Sequence, residues 1–228
     1  MSAPIRLPLK TELEMPVCFI RCTLLGTLLY VSLVSAGQIS AEILTFDDIG
    51  LLDHKPVPNG YGGLQWNNMY YINGGTYYIR PSGYLYGTVS GNYTALNWFA
   101  NPAEVFAATP FNFKGAYLTA AWNDGLYIAV TGYRAGALTH SQLVVVPTYM
   151  PTFFDFNFGG VDRVRFEAWG GVGHNYGGTG AYFAMDNFTF TAVPEPSTAA
   201  QISSAVAAAI FVGYRRRARS STRAKGVI

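Results

Sequence analysis

Between residues 42 and 192, apolar side chains recur at every second position in short runs that stop at Gly, Asn or Pro. No stretch there keeps a 3.6-residue apolar period for the length of a helix. The runs predict strands at 43–46, 69–72, 76–80, 84–89, 95–99, 116–122, 126–132, 141–146, 163–169 and 181–191. Asn73-Gly74-Gly75 predicts a hairpin loop between the second and third of these. In 163–169, Val164, Phe166 and Ala168 share one face and Arg163, Arg165 and Glu167 the other. That is the pattern of a half-buried antiparallel strand.

Roughly ten short strands in one domain-sized segment predict an all-β fold: an antiparallel two-sheet β-sandwich, jelly-roll-like, with its first and last strands close together. In the last strand Ala184, Asp186, Phe188 and Phe190 share one parity, so inward phenylalanines predict an inward Asp186. A buried carboxylate must be paired, coordinated or hydrogen-bonded.

The ends break this pattern. Residues 23–36 form an apolar run preceded by Arg21 and ending in small residues at Val34-Ser35-Ala36, with Ile39-Ser40-Ala41 as a second cleavage option. The run is shorter than the roughly 20 apolar residues of a membrane span. Residues 1–41 therefore read as a signal-peptide region cut by signal peptidase, with an N-terminal anchor helix as the alternative. Met15 is a second possible start, because Met15 to Arg21 makes a more ordinary signal opening.

At the other end, Val193-Pro194-Glu195-Pro196-Ser197-Thr198 precedes an Ala/Ile/Val stretch to Tyr214 and then Arg215, Arg216, Arg217 and Arg219. Two prolines keep the motif extended, and the arginines resist translocation, so the order fits a stop-transfer tail. This tail resembles the PEP-CTERM sorting signal of Gram-negative bacterial exported proteins. The resemblance implies an exosortase-type processing enzyme as a partner. It also implies transient residence of the hydrophobic helix in the inner membrane, and a final place in the envelope, at the cell surface or in an extracellular polysaccharide matrix. The segment departs from the usual Leu-rich tail, being Ala-rich with Gln201, Ser203 and Ser204. The organisation expected is 1–41 signal region, 42–192 secreted sandwich and 193–228 sorting tail.

Composition narrows the chemistry. Charged residues are 12% of the 228, about half the usual ~25%, while aromatics are 15% and Gly numbers 25. The net charge of +2 comes from the ends, and residues 42–192 sum to about −4. No basic footprint for nucleic acid exists on the body. Both cysteines, Cys18 and Cys22, lie in the signal region. A processed protein would then lack thiol catalysis, thiolate metal sites and disulfides.

Phe46-Asp47-Asp48 at the start and Phe183-Ala184-Met185-Asp186-Asn187-Phe188 at the end resemble carbohydrate-binding-module-like jelly rolls. In those domains a structural Ca²⁺ often ties the terminal strands together. By position the resemblance makes Asp47, Asp48 and Asp186 calcium ligands; the alternative is that they start a turn and cap backbone N–H groups. Sugar sites need aromatic platforms beside planar polar groups. Three clusters offer them: Tyr61 and Trp66, Trp122 with Asn123, and Trp169 with the loop 170–180. For each the alternative is a core aromatic next to an ordinary turn.

Lone His54, His140 and His174 have no paired metal spacing, and the EF-hand-like start at Asp155 places Phe166 where a Glu is needed. The expected function is a non-enzymatic, exported, glycan-binding envelope or matrix protein. The alternatives are a self-associating matrix protein and a polysaccharide-cleaving enzyme with two convergent carboxylates.

Overall fold

A computed structural model describes residues 40–50 and 53–193, together with positions 206, 208 and 210–212. Residues 1–39, Pro194 to Thr198 of the expected sorting motif, and the expected stop-transfer cluster Arg215, Arg216, Arg217 and Arg219 lie outside the described residues. The chain divides into two compact units, Ile39–Glu195 and a second made of Met1–Gln38 with Pro196–Ile228. In the second, positions 206, 208 and 210–212 are helical. Among the described residues no helix is long and apolar enough to cross a membrane.

Strand is the main regular structure of the first unit. Its elements are β1 (Glu42–Leu44), β2 (Lys55–Pro56), β3 (Gln65–Asn67), β4 (Met69–Asn73), a one-turn helix α1 (Gly83–Gly87), β5 (Tyr93–Asn97) and β6 (Ala103–Ala120). Then come β7 (Asn123–Asp124), β8 (Leu126–Arg134), β9 (Ala137–Val146), β10 (Thr152–Trp169), β11 (Val172–Gly173) and β12 (Phe183–Ala192). The ladder runs β2-β4-β5-β12-β6-β10-β8-β9, with β1 added to β12 and β3 to β6. β7 and β11 form a separate two-stranded ribbon.

Two strands, β6 and β10, run 18 residues each. Their shared ladder shifts register three times between Asp155 and Arg163. Such bulges bend and twist a strand. Each strand thereby serves both layers. One layer holds β3, the first half of β6, the second half of β10, β8 and β9. The other holds the remaining halves with β12, β1, β5, β4 and β2.

Aromatic rings from both layers fill the space between. Phe113 stacks on Phe188 at 4.6 Å and on Phe156 at 5.2 Å, and Phe166 lies 5.9 Å from Phe183. Burying each such ring stabilises by about 1.5–3 kcal/mol. The half-buried strand reading holds for β10: Val164 and Phe166 are fully buried while Arg163 and Glu167 are exposed.

Three local expectations fail for physical reasons. Residues 84–89 are not a strand. Ser82 accepts a hydrogen bond from the Leu85 N–H (3.4 Å) and caps α1, whose glycines let it lie flat on the sheet. A Cβ on Gly83 would collide with the Ala120 carbonyl, and one on Gly87 would meet the Ala184 Cβ at 2.7 Å. Residues 76–80 do not pair with 69–72. The Asn73 side chain and carbonyl instead accept from the Thr76 and Tyr77 N–H groups, turning the chain away, and β4 pairs with β5. Finally, Asp186 does not share a face with Phe188. Asn187 sits at φ 52° in a bulge between Asp186 and Thr189, which resets the alternation. Phe183 and Met185 face the main core, Ala184 faces outward under α1, and Phe188 and Phe190 return to the core.

Candidate functional site

The outer face of the β4-β5-β12 region is covered by the segment 74–92 and the loop 174–182. Under them lies a second apolar cluster of Ile72, Tyr84, Leu96, Ala121, Trp122 and Ala184. Burial on both faces explains why β12 carries so few exposed residues.

Two carboxylates hold this cover down. Asp186 is fully buried, and its Oδ2 accepts from the Val89 and Ser90 N–H groups at 2.7 and 2.9 Å. Its Oδ1 accepts from the Asn187 N–H at 2.7 Å. Asp47 Oδ1 accepts from the Asn92 and Tyr93 N–H groups at 2.7 and 3.0 Å. Both residues therefore grip one loop, on either side of Gly91. Burial raises the Asp186 carboxyl to about 6, against the lowering effect of those backbone donors.

The third acid, Asp48, is engaged elsewhere. Tyr61 donates its hydroxyl to Asp48 Oδ1 at 2.8 Å and accepts from the Phe46 N–H at 3.0 Å. Burial and the Asp48 bond push the Tyr61 phenol well above its ordinary range. Asp47 Oδ1 and both oxygens of Asp186 thus accept backbone N–H groups, the arrangement of the capping alternative. Among the described residues no three His, Cys, Asp or Glu side chains gather around one point.

A cleft of about 270 Å³ opens between the cover and the sheet. Trp122 and Tyr84 form its floor and Tyr77, Tyr78, Trp98 and Tyr182 its walls, with His54 and Thr179 at the polar edge. Trp122 is only 4% exposed and meets Tyr84 edge-on at 5.3 Å. Gly178 lies directly on the indole face, where any Cβ would strike the ring. Tyr77 packs on Tyr84 at 5.1 Å and on Tyr78 at 4.7 Å, and His54 lies 5.5 Å from Tyr77.

Side-chain amides fix the walls. Asn97 donates to the Ala181 carbonyl (3.1 Å) and accepts from the Phe183 N–H (2.8 Å), continuing the sheet with a side chain. Asn68, at φ 54°, donates to the Trp98 carbonyl at 3.0 Å, and Trp98 stacks on Tyr70 at 4.3 Å. Burial holds the Tyr77 and Tyr84 phenols above their ordinary range, so both hydroxyls stay protonated near neutrality. Among the described residues no carboxylate and no Lys or Arg lines the cleft.

The expected ligand residues divide. Trp122 reaches the cleft. Asn123 does not line it: its amide donates to the Gly170 carbonyl at 3.0 Å, and the β7–β11 ribbon joins 123–124 to 172–173. This ribbon merges two clusters that looked separate in sequence. Trp66 is 6% exposed and packs edge-on against Phe46 and Phe188, and Tyr61 joins it beneath β1, so both are core residues. Trp169 is exposed but outside the cleft, stacked on Tyr127 at 6.1 Å with an 18° interplanar angle. Sequence reasoning missed His54, Tyr77, Tyr78, Trp98 and Tyr182. The adjacent Tyr77-Tyr78 pair was the available signal, because it is apolar at both parities and fits a covering loop better than a half-exposed strand.

Two layers of antiparallel strands around a phenylalanine core define the class: an all-β sandwich, jelly-roll-like, with an aromatic cleft on one outer face. No protein-family model and no curated protein matches the sequence. Among solved structures the chain is similar to TmCBM61, solved in complex with β-1,4-galactotriose. There the identity is 12%, the TM-score 0.34, and the match covers 63% of this chain and 100% of that one. It is also similar to an agarase, AgWH50C, at 6% identity and TM-score 0.32, covering 68% of this chain and 25% of that one. The match thus spans a quarter of the agarase's length.

Proposed function

We propose that this chain is an exported, exosortase-processed protein of the bacterial envelope or extracellular matrix, whose body binds a neutral glycan without cleaving it. The observation that carries the binding reading is the cleft, with five tyrosine and tryptophan rings around Tyr84 and a lining free of carboxylates and cationic side chains other than His54. Ring faces suit the C–H face of a sugar, and phenol and hydroxyl groups suit its hydroxyls. Hydrolysis by the usual route needs two carboxylates flanking the bond, and the cleft supplies none. Export and sorting rest on the apolar run before Ala36 and on the order of Pro194-Glu195-Pro196, apolar segment and arginines.

The test is retention of the purified chain on immobilised neutral and uronic-acid polysaccharides, with Tyr78→Ala and Trp169→Ala variants. Tyr78 is 78% exposed, so its loss leaves the core intact. Retention on neutral polymers that falls at least tenfold in Tyr78→Ala and persists in Trp169→Ala is expected. Retention lost only in Trp169→Ala moves the site to the Tyr127 strip, and no retention on any polymer removes glycan binding.

A further inference from the structure

Sheet edges expose unpaired backbone groups, and proteins guard them with charge, proline, bulges or brevity. In this body most edges are guarded in that way. β2 is two residues long and consists of Lys55 and Pro56. β1 and β3 are three residues each, and β1 carries Glu42. The free first half of β10 contains Asp155 and leads into the register shifts. β9 differs. It ends the ladder, pairs only with β8 among the described residues, and runs ten residues, Ala-Leu-Thr-His-Ser-Gln-Leu-Val-Val-Val. It holds no proline and no Asp, Glu, Lys or Arg.

The outer face at its C-terminal end is apolar too. Across the ladder Val145 adjoins Tyr127, which adjoins Trp169, and Leu143 adjoins Ala129. Leu143 and Val145 are 55% and 51% exposed, and Tyr127 and Trp169 are exposed beside them. The row therefore makes a flat strip that reaches the open edge.

We infer that β9 is an interface between two copies of this chain, paired antiparallel about a two-fold axis. The pattern of β9 selects a second copy as the occupant. A two-fold axis sets the central residue against its own copy and residue i against j with j against i, so a strand that pairs with itself needs an uncharged, self-complementary centre. The Leu143-Val144-Val145-Val146 end of β9 provides one. An antiparallel register centred on Val144 keeps inward residues opposite inward ones, setting Val144 against its copy and Val146 against Gln142 on the core side. It sets Leu143 against Val145 on the outer side, doubling the Tyr127–Trp169 strip. The five paired residues, 142–146, at about 3.4 Å each give a seam of roughly 17 Å. This inference is independent of the cleft, which lies on the other layer.

The experiment is sedimentation of the full chain and of the Leu143→Lys/Val145→Lys variant, with hydrogen exchange followed at several protein concentrations. Both substituted side chains are exposed, and far-UV circular dichroism verifies that the fold is kept. A wild-type dimer, a monomeric lysine variant, and concentration-dependent protection centred on residues 142–146 are expected. A monomeric wild type overturns the inference. So does a lysine variant that associates as well as wild type, which would place association in the apolar tail it retains. Protection confined to other segments overturns it as well.

Discussion

Asp186 does two things with one carboxylate. It satisfies three backbone N–H groups that the bulge at Asn187 and the turn at Val89–Ser90 would otherwise leave without partners. It also remains ionised at neutral pH at a cost, because burial raises its native value to about 6 from an ordinary 3.8. Between those two values the native state binds more protons than the unfolded chain. The stabilising contribution is therefore complete below the unfolded value and is lost as pH rises through about 6. Asp186→Asn mimics the protonated form and loses one acceptor. The gap in stability between wild type and this variant should narrow as pH rises from 4 to 7, by on the order of 1 kcal/mol per unit within the window. Urea melts of both proteins at stepped pH check this; a constant gap would mean that the carboxyl titrates alike in both states.

At the scale of elements, α1 shows how a glycine pair sets a site. Gly87 rests on Ala184 and Thr119, and α1 carries Tyr84 to the cleft floor. Gly87→Ala should lift the helix, cost about 1–3 kcal/mol and weaken glycan retention in parallel; calorimetry with the retention assay measures both. This element was not legible in the sequence. Residues 84–89 alternate well enough for a strand, and only the contact of Gly83 and Gly87 with the sheet decides otherwise. β8 and β10 were legible because one face is wet and the other dry, which leaves a period of two. β12 was legible as a strand but not in its facing. Both its faces are covered, so alternation carries no information, and a single residue at Asn187 reverses parity. The first halves of β6 and β10 escaped for a related reason, since their register shifts interrupt the repeat. Trp122 was found in the sequence as a ring near a turn, but its companions come from segments far apart along the chain, which only the fold assembles.

For the whole molecule, stability rests on the phenylalanine core and on carboxylates that hold backbone N–H groups. With Asp47 and Asp186 holding backbone N–H groups, the melting temperature of the chain should be unchanged in excess EDTA. A chelator-dependent fall of several degrees would show a metal bound through Asp47, Asp48 or Asp186 and would reopen the reading of the terminal strands.

The neighbouring placement of β1 and β12 has a mechanical meaning. Glu42 pairs with Phe190 and Leu44 with Phe188, so the body's first and last strands start and finish at the same end of their ladder. Tension applied through both flanks peels β1 from β12, and their three pairs open one after another, as a zipper opens. Were the proposed glycan held in the cleft, tension between it and the C-terminal flank would act along β12, which is held by β6 on one side and by β5 and β1 on the other, so its bonds would share the load together. On the proposed function, the body would yield more readily between its own ends than between its C-terminal flank and a ligand.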